Sequence, residues 1–204
     1  GHDALVAIAT RLAEHGAPRA EIVTSGSHTY AAALAHPGLA AGPWSHRVSP
    51  GTIVLNDRRT RAAALDLGLR QAAFVAARVV SHAAPRVTLD AGTKALSPDR
   101  PPPTCEVLGW PDLFPLAPSE EHLPVHVGGL TAPPLGHLLF LVPDHVCTTV
   151  NLHRAAIHLR GAEVLGDSAI TAGHTPWLPA APTDGPPLPE RRGGLARRVS
   201  SPPP

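Results

Sequence analysis

The sequence predicts an α/β remnant followed by a mainly β domain, a barrel or a sandwich, and then a disordered C-terminal tail. Three observations carry this. The first 60 residues run through a helical pattern, a short β-prone stretch and a second helical pattern, the order of an αβα fragment from a parallel α/β fold. From Ala72 the chain becomes a series of short apolar runs, among them "RVTLDAG", "CEVLGW" and "HLLFLVPDHV", punctuated by Gly, Pro and Asp. That is the pattern of an all-β module. The last 31 residues hold nine prolines and little that could form a core, too little to offset the entropy of ordering them. The segments are 1–60, 61–173 and 174–204.

Element by element, "HDALVAIATRLAEHG" reads as a helix with Leu5, Ile8 and Leu12 on one stripe and a Gly16 and Pro18 stop. It begins at once with a complete amphipathic pattern, so the chain reads as entering in mid-domain. Ile22 to Thr24 is β-prone, Ser25-Gly26-Ser27 is a turn, and Thr29 to Ala35 is helical. Ser49-Pro50-Gly51 makes a second turn, after which Thr52 to Leu55 is expected to be a strand. "AAFVAARVVSHAA" stays open: its alanines favour a helix and its valines a strand. The arginines of the tail, Arg191, Arg192, Arg197 and Arg198, read as solvated.

Composition excludes several partners. The formal net charge of +1 argues against a dedicated nucleic-acid surface, which needs clustered Lys and Arg. No stretch approaches the roughly 20 apolar residues of a membrane-spanning helix. Two cysteines do not make a disulfide framework, and a cytoplasmic home is the default. Thirteen histidines make the charge sensitive to pH between about 5 and 8. Lys94 is the sequence's one lysine.

Four places hold residues capable of chemistry. Ser25-Gly26-Ser27-His28-Thr29 lies between a strand and a helix, where free backbone N–H groups and hydroxyls would cradle a phosphate; the alternative is a plain helix N-cap. In "PDHVCTTVNLH", His145 and Cys147 would share a face if the stretch is extended, and imidazole and thiolate are the donors zinc prefers. The alternative is a buried cysteine acting as a small hydrophobe beside an ordinary histidine. Ser119 to His122, "SEEH", gathers two carboxylates and an imidazole, either a cluster or an exposed loop. Lys94 lies in "LDAGTKALSPD", where a lone lysine is normally solvated.

Taken in order, "EIVTSGSHTY", "SPGTIVLND", "VTLDAGTKALS", "SEEH" and "VPDHVCTTVNLH" resemble the C-terminal half of the D-serine dehydratase and D-threonine aldolase-like family. These are pyridoxal-phosphate enzymes of the alanine-racemase fold type. The resemblance covers roughly residues 5 to 173. It implies the last one or two units of a (β/α)₈ barrel over 1–60 and a β-rich metal-binding domain over 61–173. It implies a phosphate loop at Ser25, Gly26, Ser27 and Thr29, with His28 departing from the family's glycines or threonine. It implies a zinc or other divalent metal pair at His145 and Cys147, the cysteine leaning toward the dehydratase side. The motif at Ser119 to His122 acquires no role. The family's Schiff-base lysine lies on the first barrel strand, which has no counterpart here, and Lys94 falls in a β-domain motif, so no catalytic residue is expected in this chain.

The expectation is therefore the C-terminal portion of a metal- and pyridoxal-phosphate-dependent lyase acting on D-3-hydroxy amino acids. It would be homodimeric when complete and inactive alone: a fragment, a truncation or half of a split protein. The rival readings are a non-catalytic metal-binding or dimerisation β-module, and an amino-acid racemase relative that would not need His145 and Cys147.

Overall fold

Ile22, Val23 and Thr24 favour extended backbone, and the computed structural model, which describes residues 1–17, 21–63, 68–129 and 131–171, places them in a strand. This strand, β1 (Glu21–Thr24), pairs in parallel with β2 (Ser45–Val48), with Glu21 opposite Ser45 and Thr24 opposite Val48. Parallel neighbours need a crossover. Two short helices supply it, α2 (Tyr30–Leu34) and α3 (Pro37–Ala41), and α1 (His2–Glu14) precedes β1. Their core is small: Ala9, Ile22, Ala33 and Leu39, with Leu5, Val6, Trp44 and Val48 packed against it.

Two sequence expectations fail in this part. The stripe Leu5, Ile8, Leu12 is not the buried face of α1, because Ile8 is 59% and Leu12 51% exposed. The helix instead turns Leu5, Val6 and Ala9 inward, toward α3, where Gly38 has no side chain and a Cβ would stand 3.2 Å from Val6. Thr52 to Leu55 is not a strand either. Thr52–Val54 is a single 3₁₀ turn, closed by Leu55 N–H donating to Thr52 O at 3.2 Å. Val54 is 73% exposed, and β-branched residues prefer strands only where a sheet face receives them. The strand of this region, β2, comes before the Ser49-Pro50-Gly51 turn rather than after it.

The region left open between helix and strand is a strand, β3 (Val75–Ala83). It joins β4 (Arg86–Leu89), β5 (Cys105–Val107), β6 (Leu113–Pro115), β7 (Leu123–Val127) and β8 (Leu138–Pro143) in one antiparallel sheet of order β5-β8-β3-β4-β7-β6. The edge strands β5 and β6 approach each other, so the sheet nearly closes into a barrel. An irregularity between Val79 and Ser81 lets β3 pair with β8 along its first half and β4 along its second, the bend that closure requires. Alternate residues point inward: Val75, Ala77 and Val79 of β3, Val87 and Leu89 of β4, Leu123 and Val125 of β7, and Leu139 and Leu141 of β8 form one core. A further hairpin, β9 (Ala155–Arg160) with β10 (Glu163–Ala169), lies outside this sheet and is exposed along its length. No helix among the described residues is long and apolar enough to cross a membrane. The expected tail, 174–204, lies outside the described residues.

Two motifs quoted separately from the sequence lock together here. Thr93 N–H donates to Ser119 O at 2.9 Å and Lys94 N–H to Glu120 O at 3.2 Å. A Cβ on Gly92 would stand 2.3 Å from Glu120 O. Gly92 is thus required by the close approach of "SEEH". Gly92→Ala is expected to cost about 1–3 kcal/mol, the usual range for forcing extra atoms into a packed site, measured by denaturant unfolding.

The α/β part is stitched to the sheet through the helix α4 (Arg58–Ala62) and the residue before it. Buried Asp57 caps α4 by accepting from Thr60 N–H at 2.7 Å, and its other oxygen accepts from Val146 N–H at 3.1 Å. Val146 opens α5 (Val146–Val150), so one carboxylate caps two helices. Arg58 pairs with buried Asp144 at 2.6 Å, and Arg61 pairs with Glu106 of β5. Caps are worth about 1 kcal/mol each and bonds to a charged group more. Asp57→Ala should therefore lower unfolding stability by about 2–4 kcal/mol, and a loss below 0.5 kcal/mol in the same titration would show that the double cap carries no weight.

Candidate functional site

Strand β8 ends at Pro143, and the chain then turns. Asp144 N–H donates to Thr104 O at 2.8 Å, and His145 is the N-cap residue of α5 with φ −134° and ψ 106°. Cys147 is the second residue of that helix. The expectation that His145 and Cys147 share the face of a strand is therefore wrong. The Asp57 carboxylate gives Val146 N–H a helix-capping partner instead of a ladder partner. The two residues remain neighbours for a simpler reason, since two Cα steps span at most about 7.6 Å.

His145 is oriented from one side. Its Nδ1 lies 2.6 Å from Asp99 Oδ2. The other oxygen of Asp99 accepts from Ser97 Oγ at 2.9 Å and from Thr148 Oγ1 at 3.2 Å. Burial pushes the Asp99 carboxyl up, but the bonds from His145, Ser97 and Thr148 outweigh it and hold the group below its ordinary value. The segment is anchored twice more: Thr149 Oγ1 donates to His145 O at 2.8 Å and sits 3.3 Å from Ser97 N–H, and His153 Nε2 lies 3.0 Å from Ala95 O.

Cys147 is exposed, with its Sγ 3.3 Å from Thr52 Oγ1. The reading of a cysteine as a small buried hydrophobe fits the other one, Cys105, whose thiol burial pushes up to about 12. With Nδ1 engaged, His145 has Nε2 left for an ion, and the Cys147 thiol is accessible. Imidazole and thiolate match zinc's preferences. No group of three or more His, Cys, Asp or Glu that could hold a metal occurs among the described residues. The pair supplies two donors, against the four of a closed structural zinc site and the three of a typical catalytic one.

The loop Ser25 to Thr29 follows the end of β1. Ser25 has φ 64°, in the left-handed region that non-glycine residues seldom adopt. A Cβ on Gly26 would meet nothing within 4 Å, so the space beside the loop is open. Thr29 is the N-cap residue of α2 but its side chain makes no capping bond. Among the described residues, the N–H groups of Gly26, Ser27 and His28 find no backbone acceptor. These donors suit an anion. Ser25 Oγ lies 3.4 Å from His2 Nε2.

The loop and the His145–Cys147 pair lie at one end of the parallel strands. Ser49 N–H, just past β2, reaches Thr24 O at 3.1 Å and Ser25 O at 3.2 Å. Three residues on, Thr52 touches Cys147. Ser49 and Thr52 are at most about 11 Å apart along the chain. In open and closed α/β sheets the C-terminal ends of parallel strands are where ligands bind.

Lys94 is held differently. Glu121 at 2.6 Å and Glu120 at 2.9 Å flank its ammonium and keep it protonated above its ordinary range. A nucleophilic lysine must shed that proton. The "SEEH" loop thus has a structural task, docking on Gly92 and pairing with Lys94.

Four residues of the site escape the sequence reading: Thr52, Asp57, Arg58 and Asp99. Asp57 carries a detectable signal, an Asp three residues before the Thr whose amide it caps. The other three act across 46 to 95 residues of chain, and no local pattern reveals that.

Known proteins resemble this chain in sequence and overall fold. The family described as "Putative serine dehydratase domain" matches residues 72–159. A D-threonine aldolase from Arthrobacter sp. is 42% identical over 100 residues, 48% of this chain and 26% of the relative. The crystal structure of a D-threonine aldolase from Filomicrobium marinum superposes with a TM-score of 0.64 at 26% identity, over 76% of this chain and 43% of that one. A D-threo-3-hydroxyaspartate dehydratase from Delftia sp. HT23 shares the fold at TM-score 0.62 and 22% identity, over 81% of this chain and 48% of that one. The chain thus spans about a quarter of the curated relative and less than half of either solved structure. In its matched domain, its order of motifs and its fold, the chain is similar to proteins of the D-serine dehydratase and D-threonine aldolase-like family.

Proposed function

We propose that this chain is the C-terminal portion of a pyridoxal-phosphate- and metal-dependent lyase acting on D-3-hydroxy amino acids, of D-serine dehydratase or D-threonine aldolase type. One observation carries the reading: an imidazole with only Nε2 free stands two residues from an exposed thiol, on an element clamped from both sides. Residues 1–60 are the end of a β/α barrel, and 61–173 are the metal-bearing domain. The parallel pair β1–β2 with its helical crossover supports the first part, as do the exposed Ile8, Leu12 and Val23, which a complete barrel would cover.

His145 and Cys147 are the metal donors, and Ser25, Gly26, Ser27 and Thr29 hold the cofactor phosphate through amides and hydroxyls. When bound, the metal supplies a Lewis acid for the substrate's β-hydroxyl and the cofactor supplies an electron sink. Lys94, locked between two glutamates, contributes no nucleophile, and the chain is inactive alone. The complete protein is a homodimer, a reading supported by the apolar side chains that β9 and β10 expose, Ile157 and Val164 among them. Two free thiols fit a reducing, cytoplasmic setting.

Thiol alkylation tests the metal pair. At pH 8, exposed Cys147 should label much faster than Cys105, whose thiol is buried and raised in pKa. Zinc should suppress labelling of Cys147, and His145→Ala should abolish that protection. Labelling of Cys147 indifferent to zinc would remove the pair.

Joining the chain to a lysine-bearing N-terminal barrel tests the rest. Keto acid or aldehyde should then be released from a D-3-hydroxy amino acid, and Cys147→Ala or chelation should reduce turnover at least about 100-fold. A joined protein that folds, binds metal and stays inactive on D-serine and D-threonine would favour the non-catalytic module.

A further inference from the structure

We infer that Asp99 is a positioning residue for the metal centre: its carboxylate fixes His145 in the tautomer and orientation that present Nε2 to the ion. This rests on the reading of His145 and Cys147 as the metal donors. An ionised carboxylate can only accept hydrogen bonds. At 2.6 Å from Asp99 Oδ2, Nδ1 therefore carries a proton, so that in the neutral ring the lone pair is on Nε2. A carboxylate behind a ligating imidazole raises its basicity and restrains its rotation.

Asp99 is itself restrained. Ser97 Oγ at 2.9 Å and Thr148 Oγ1 at 3.2 Å both donate to Oδ1, and Arg100 Nε lies 3.7 Å from Oδ2. Thr148 directly follows Cys147, so one carboxylate grips α5 on both sides of the thiol. A further bond from Ser97 N–H to Thr149 Oγ1 ties the loop to the same helix. The bland alternative is a partly exposed ion pair, with His145 28% and Asp99 30% exposed, which contributes little to stability and nothing to metal affinity.

Zinc affinity of the full chain, measured by competition with a chromophoric chelator, separates the two. Asp99→Ala removes acceptor and charge, and Asp99→Asn keeps an acceptor oxygen and loses the charge. Affinity is expected to fall about 10–100-fold in Asp99→Ala, with Asp99→Asn in between. Cobalt at saturation should still give the thiolate charge-transfer band, because Cys147 remains in place. A purely structural role would lower the thermal midpoint of the metal-free chain and leave affinity unchanged. Affinity within twofold of wild type in both variants overturns the inference, and the near-isosteric Asp99→Asn decides alone if Asp99→Ala does not fold. Binding that ignores both His145→Ala and Cys147→Ala overturns the metal pair itself, and this inference with it.

Discussion

The buried carboxylate of Asp57 is the constraint on which the site depends. It stands between two helix starts and satisfies an amide of each, Thr60 N–H and Val146 N–H. Helix N-termini present amides without intrahelical partners, and burying them unpaired is costly. Both termini meet here because a single residue can cap both. As a result the chain after β8 cannot continue as a strand, His145 becomes an N-cap residue, and Cys147 enters a helix. The ion pair of Arg58 with Asp144 holds the same corner from the neighbouring position.

From this corner the site is assembled by short reaches rather than by a deep core. The Ser49–Thr52 segment runs from the Ser25 loop to Cys147. The Ser97–Asp99 segment closes on His145 and Thr148 from the opposite side. The six-stranded sheet provides the rigid base for the second, since β4 before it and β5 after it carry its buried side chains, and the Ser49–Thr52 segment extends from β2 of the parallel pair. Among the described residues the small α/β part has four buried apolar residues of its own, so α4 and its contacts with the sheet hold it in place. Fixed donors on a well-packed scaffold with open positions between them are what a metal-assisted reaction requires.

Much of the fold is legible in the sequence where the pattern is local. The alternating valines and leucines of β3, β4, β7 and β8 have a period of two, and they are the core. The turn at Ser25 to Ser27 and the helix after it also follow from residue type. The failures share one cause. Thr52 to Leu55 looks like a strand by propensity, but no sheet face receives it. Leu5, Ile8 and Leu12 have the right spacing, but Gly38 of α3 selects another face. His145 and Cys147 are identifiable as a pair because zinc donors are chemically distinctive. Their helical setting is not, because it depends on Asp57, 89 residues earlier. Propensity and period report what a segment prefers, and a distant carboxylate decided the outcome.

The proposed function turns on one divalent metal held by His145 and Cys147. An anomalous-difference map at the zinc edge, from crystals of the full chain grown with zinc, addresses it directly. One peak is expected, bonded to His145 Nε2 at about 2.0–2.1 Å and to Cys147 Sγ at about 2.3 Å, with Asp99 still on Nδ1. Zinc bound elsewhere with this pair empty, or bound through Nδ1 with Asp99 displaced, would contradict it.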